Sequence, residues 1–212
     1  PLRDSQGQVI GFTGRKMAAT PKDDPAFEAK YVNSPETPLF KKGNMLFNFD
    51  RARNAVEKQG FFLMVEGQLD SLRAYSVGFH AVVAPQGTAV TPEQLSLLKR
   101  YDNRLRVFLD GDRAGQAAAL RMLPMALAEE MDILFLKLPP GIDPDLYLLE
   151  HPTNALKNLE GLSPMAFALQ ALYNKEEVNT PQAKANALHA IFELIKASPS
   201  AIVQEAYLEE VI

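Results

Sequence analysis

The sequence predicts an α/β fold, a parallel sheet with helices on its faces, and three observations predict it. Between Phe61 and Glu150 short apolar runs alternate with helical segments four times. Each run is rich in Val, Ile, Leu and Phe and breaks at once into a turn, as a strand buried on both faces does. The helix starts are marked, most clearly at Thr91-Pro-Glu-Gln94, which combines an N-cap, a proline at the first helical position and a capping-box glutamine. Strands in such an alternation lie parallel, because parallel neighbours need a crossover between them.

Composition narrows the chemistry. The chain has 212 residues, 47% of them apolar, enough to bury the core of one or two domains. It has no cysteine and three histidines, His80, His151 and His189, far apart in sequence. Thiolate nucleophiles, disulfides and cysteine-bound zinc are therefore excluded, and any metal is expected on oxygen ligands. No apolar run approaches the roughly 20 residues that cross a bilayer. The opening Pro1-Leu-Arg-Asp is not a basic-then-apolar leader, which predicts a cytoplasmic location, and its proline suggests a piece of a longer protein. The net charge of −4 is unevenly spread, with 10 Lys+Arg against 7 Asp+Glu over 1–60, 8 against 12 over 61–150, and 4 against 7 over 151–212. The first third is basic and the middle acidic.

Over 1–60 the reading is a small α+β basic lobe. Leu2 to Phe12 places a polar turn with Gly7 between two extended stretches, which is hairpin chemistry. Residues 18–29 are loop-like, and Pro35 and Pro38 exclude a regular helix or central strand beyond them. Arg15, Lys30, Lys41 and Lys42 in these loops could hold phosphates or simply be solvated. Asn48 to Gln59 reads as a short helix with Asp50 as a possible N-cap and Gly60 as its stop.

From 61 to 150 the predicted strand and helix pairs are 61–65 with 69–76, 80–84 with 92–101, 105–109 with 114–130, and 133–138 with 145–150. Glu66, Asp110, Asp112, Asp143 and Asp145 fall at the carboxyl ends of these strands, where open parallel sheets bind ligands. Acids there can be helix caps, and Asp70, Asp112 and Asp145 stand where helices begin. So many carboxylates at one sheet end also repel one another, and a hard divalent cation such as Mg²⁺ resolves the conflict. In Asp110-Gly-Asp112 the glycine lets both side chains lean toward one ion. With no thiol, triad or zinc set available, phosphoryl transfer is the leading reaction class. Residues 151–212 read as a helical subdomain of three helices, opened by Ser163-Pro, Thr180-Pro and Ser198-Pro, with no catalytic signal.

The motifs Val65-Glu-Gly67, Asp110-Gly-Asp-Arg-Ala-Gly115 and Asp143-Pro-Asp145 resemble the Toprim domain of primases, topoisomerases and some nucleases. Val9 to Arg15, Lys30-Tyr-Val-Asn-Ser-Pro-Glu-Thr37, Phe40-Lys-Lys-Gly43 and Gly87-Thr-Ala resemble, in order, motifs of the bacterial DnaG-type primase catalytic core. The resemblance covers about 1–150, departing at Thr13-Gly14 and Gln68-Leu69, where the family often has two glycines and Tyr-Met. It implies a nucleotidyltransferase that makes RNA primers from ribonucleoside triphosphates on single-stranded DNA at a bacterial replication fork. It further implies Toprim strands over 61–150, Glu66, Asp110 and Asp112 at the chemistry, and Asp143 and Asp145 as further ligands of Mg²⁺, for which Mn²⁺ can substitute. Asp70 and Arg113 would support that shell, while Arg15, Lys30, Asn33, Lys41 and Lys42 would bind nucleotide or template. A zinc-binding domain and a helicase-binding domain would lie outside this sequence, leaving a monomeric fragment of weak or no activity alone. Other Toprim phosphotransferases, or a non-catalytic nucleic-acid-binding module, are the alternatives.

Overall fold

The computed structural model describes residues 1–24, 27, 31–87, 89–110, 112–139, 142–152, 155–173 and 179–212. The basic lobe contains two short antiparallel pairs. Strands β1 (Leu2–Arg3) and β2 (Val9–Gly11) are joined by a turn in which the Asp4 carboxylate accepts from the amides of Gln6 and Gln8, both at 2.9 Å, and Gly7 takes φ 87°. That φ is open to glycine without strain, which is why the turn sits there. Strands β3 (Thr13–Arg15) and β4 (Tyr31–Asn33) pair with Thr13 opposite Asn33; no pattern in the sequence marked β4.

A 3₁₀ turn at Lys42–Asn44 leads to α1 (Phe49–Gln59), which buries Phe49, Ala52 and Val56. Its N-cap is Asn48 at φ 65°, not Asp50, which lies inside the first turn. Asn tolerates this left-handed backbone, and its side chain donates to the Val82 carbonyl at 2.8 Å. Gly60 at φ 85° ends the helix.

The central sheet holds β5 (Phe62–Val65), β6 (Val82–Val83), β7 (Arg104–Phe108), β8 (Asp132–Lys137) and β9 (Glu160–Leu162) in the order β6-β5-β7-β8-β9. The first four are parallel, and β9 closes the β8 edge antiparallel, an addition to the all-parallel expectation. The expected strand 80–84 shortens to two residues, with Ala84 bridging back to Phe47 of the basic lobe.

The crossovers are α2 (Gln68–Ser76), α3 (Pro92–Lys99) and α4 (Arg113–Ala128), and α5 (Pro144–Glu150) follows β8. Side chains alternate as strand geometry requires. Phe62, Met64, Leu105, Val107, Ile133 and Phe135 face a core with α1, α3 and α4. Leu63, Val65 and Phe108 face a second core with α2 and α5. The tail forms α6 (Pro164–Leu172), α7 (Pro181–Lys196) and α8 (Ala201–Val211), and α6 stacks Phe167 on Phe135 of β8 at 4.0 Å between ring centres. At about 25 cal/mol per Å² of apolar surface, these two cores supply the main drive for folding.

Candidate metal and nucleotide site

Register places the acids. Val65 pairs with Phe108, so Glu66 and Asp110 leave adjacent strands at nearly the same level. Asp112 caps α4, its Oδ1 accepting from the Gly115 amide at 2.8 Å. Asp143 caps α5, its Oδ1 accepting from the Leu146 amide at 2.7 Å. Asp70 accepts from the Gly67 amide at 3.0 Å in the first turn of α2. Three of the acids thus serve as caps, and each cap uses one carboxylate oxygen and leaves the other available. Cap and ligand are compatible roles here.

Gly115 makes this geometry possible. A Cβ there would stand 2.2 Å from the Asp110 carbonyl oxygen, so the first turn of α4 presses directly on the strand end that carries Asp110. Gly111, to which the tight turn was attributed, and Lys30 both lie outside the described residues.

Electrostatics show that the acids face one another. Partial burial raises the Glu66 carboxyl above its ordinary range, and Asp110, Asp112 and Asp70 raise it further. Burial raises Asp70 against the opposing hydrogen bond from Gly67, with Asp110, Asp145 and Asp143 adding to the rise. Burial, then Asp112 and Asp143, raises Asp110. Among the described residues no hydrogen bond or ion pair engages Glu66 or Asp110, and no three metal-ligating side chains stand close enough to hold an ion as they are. All-oxygen donors with mutually unfavourable charge suit a hard divalent cation. Small rotations of Glu66, Asp110 and Asp112 would be needed to close on it.

Asp145 is placed differently. Its carboxylate is held by the Arg73 guanidinium, Nε to Oδ1 at 2.7 Å, across α2 and α5. An open cleft of about 560 Å³ runs beside Asp110, Asp112 and Asp143, and α6 lines it with Phe167 and Gln170. Residues of the helical tail therefore border the site, although nothing in their sequence signalled it. Arg113 opens α4 next to Asp112.

The basic lobe meets the sheet close to Glu66. The Asn33 amide donates to the Gln86 carbonyl at 3.5 Å, and Gln68, two residues beyond Glu66, donates to Gln86 Oε1 at 2.6 Å. Gln86 is fully buried, and its Nε2 and Asn33 Oδ1 lack protein partners. Arg15 is exposed on β3, and Lys42 receives the Glu36 carboxylate on its backbone amide at 2.9 Å. Among the described residues no hydrogen bond or ion pair joins Arg15, Lys41 or Lys42 to the acids.

The family model described as "DNA primase catalytic core, N-terminal domain" matches residues 1–53, and the one described as "Toprim-like" matches 63–148. The E. coli primase catalytic core is 32% identical, with a TM-score of 0.82 over 100% of this chain and 67% of that one. This chain belongs to the bacterial DnaG-type primase family. A DnaG primase catalytic domain bound to single-stranded DNA is 31% identical, with a TM-score of 0.80 over 100% of this chain and 67% of that one. The DNA primase of Aquifex aeolicus is 37% identical over 159 residues, 75% of this chain. The match spans 31% of that relative's length, so this chain covers well under half of such a primase.

Proposed function

We propose that this chain carries the nucleotidyl-transfer centre of a DNA primase, joining ribonucleotides into short primers on single-stranded DNA. The observation that carries the reading is the row of carboxylates at the ends of β5 and β7 and the starts of α4 and α5, in which burial and the neighbouring acids raise the proton affinity of Glu66 and Asp110, and these two have no hydrogen-bond or ion-pair partner among the described residues. Mg²⁺, or Mn²⁺ in its place, would be held by Glu66, Asp110 and Asp112, with Asp143 at the margin. When bound, such an ion neutralises charge on the reacting phosphate and makes the attacking hydroxyl easier to deprotonate.

The chain's own residues prepare that chemistry. Asp112 and Asp143 are fixed by their caps, so they lose little rotamer freedom on binding. Arg15, Lys41 and Lys42, with Lys30 and Asn33, would hold nucleotide phosphates or the template backbone, and such binding is largely independent of sequence. Phosphate contacts of this kind supply affinity and register; base pairing with the template supplies the order of nucleotides. No described helix is long and apolar enough to cross a membrane, which suits work at a replication fork in the bacterial cytoplasm.

The test is ribonucleotide incorporation on single-stranded DNA by the full-length parent, wild type against Asp110→Ala. Loss of synthesis with DNA binding retained supports the reading. Unchanged synthesis overturns it, and metal-dependent cleavage of DNA instead of synthesis would favour a nuclease-like Toprim enzyme.

A further inference from the structure

We infer that Arg73 is a positioning residue whose guanidinium occupies the Asp145 end of the carboxylate row, confining the divalent cation to the Glu66, Asp110 and Asp112 end. The inference rests on the cation reading above and goes beyond it, since it removes one of the expected ligands from direct contact with the ion. Of the six acids gathered at this end of the sheet, Asp145 alone makes an ion pair among the described residues. The contact is two-pointed, Nε to Oδ1 at 2.7 Å and the second nitrogen to Oδ2 at 3.5 Å, and joins residues 72 positions apart. A guanidinium fork matched to a carboxylate in this way fixes both partners in direction as well as distance.

A separate observation agrees. The cleft beside the acids is lined by Asp143, whereas Asp145, like Glu66 and Asp70, lies outside it, so the two acids at the start of α5 have different surroundings. Asp143 is the N-cap of α5 with extended backbone and Asp145 stands inside its first turn, so the two side chains leave in different directions, Asp143 beside the cleft and Asp145 toward α2. Arg73 stands on α2 one turn beyond Asp70, and the α2 helix begins two residues after Glu66. The clasp therefore fixes α5, and with it Asp143, against the same helix whose start follows Glu66. An ion at Asp145 would have to displace a two-point contact and then sit next to a guanidinium.

The experiment is Mn²⁺ binding to the full-length parent, followed by the electron paramagnetic resonance signal of free Mn²⁺, with melting temperature recorded for each variant. Asp145→Asn is expected to bind the same number of ions as wild type, with affinity within about twofold. Arg73→Gln is expected to gain one further, weaker ion, and the double variant Arg73→Gln with Asp145→Asn to lose that ion again. Arg73→Lys keeps the charge without the fork and is expected to bind the wild-type number of ions, which separates loss of the positive charge from general damage to the α2 and α5 packing. Loss of an ion, or of about tenfold in affinity, in Asp145→Asn overturns the inference. So does an Arg73→Gln protein that binds Mn²⁺ as wild type does. If wild type binds no Mn²⁺ at all, the cation reading fails first and the role of Arg73 fails with it, an outcome distinct from either of the others.

Discussion

In the proposed reading Asp110 serves the reaction at a cost to the fold. Its proton affinity is raised by burial and by Asp112 and Asp143, so the ionised carboxylate is a liability in the metal-free protein. Asp110→Asn should therefore melt higher than wild type without metal, while losing more than about 100-fold in primer synthesis, beyond the usual effect of losing an outer-shell partner. Glu66, Asp70 and Asp110 all bind protons more tightly when folded than when unfolded. Their contribution to stability is fully present below the unfolded carboxyl values, about pH 4, and is lost as pH rises through the raised folded values. Thermal melts of the metal-free protein should show wild type losing stability relative to Asp110→Asn over that rise. Gly115 is the converse case, a residue with no chemistry that the site cannot do without. Gly115→Ala would force a methyl to 2.2 Å from the Asp110 carbonyl oxygen. It is expected to cost about 1–3 kcal/mol in denaturant unfolding, as overpacking does, and to weaken Mn²⁺ binding.

At the scale of elements, the joint between the basic lobe and the sheet is α3. Gln94 is fully buried, and its side chain donates to the carbonyls of Lys42 at 3.1 Å and Met45 at 2.8 Å while its Oε1 accepts from the Thr91 amide. Gln94→Leu strands those groups and should cost about 1–3 kcal/mol, measured as a lower denaturant midpoint with an unchanged slope. Elements with local signals were legible in the sequence. The strand leading into Glu66 reads clearly because all four of its residues are apolar and buried, the one leading into Asp110 reads through Leu105 and Val107 to Leu109 despite Arg106, and the caps at Thr91, Ser163 and Thr180 are local chemistry. By contrast, β9 exists only because Glu160–Leu162 pairs with the edge of β8, and its three residues carry one buried side chain. In the tail, α7 buries Ala187, Ile191 and Ile195, while Leu188 and Phe192, next to them in sequence, stay exposed. The Arg73–Asp145 pair and the Gln68–Gln86 bond lie 72 and 18 positions apart, too far for any periodicity to announce them.

For the whole molecule, the arrangement is a basic lobe seated beside the acidic end of a parallel sheet, with the helical tail bordering the cleft next to Asp110 and Asp112. The lobe bonds to Gln86 near Glu66 and the tail borders the cleft beside Asp110 and Asp112, which is why charge that averages to −4 over the chain is informative only when read by region. Motifs made the acidic end legible, because each acid follows a strand or opens a helix by a local rule. The route by which Asn33 reaches Gln86, and the approach of Gln170 to the cleft, depend on tertiary packing that no single segment encodes. The most direct test of the central claim is the anomalous scattering of Mn²⁺ in a crystal of this protein. The account predicts a peak among the carboxylates of Glu66, Asp110 and Asp112, displaced from Asp145; no peak there, in a crystal soaked with Mn²⁺ well above its binding constant, would contradict it.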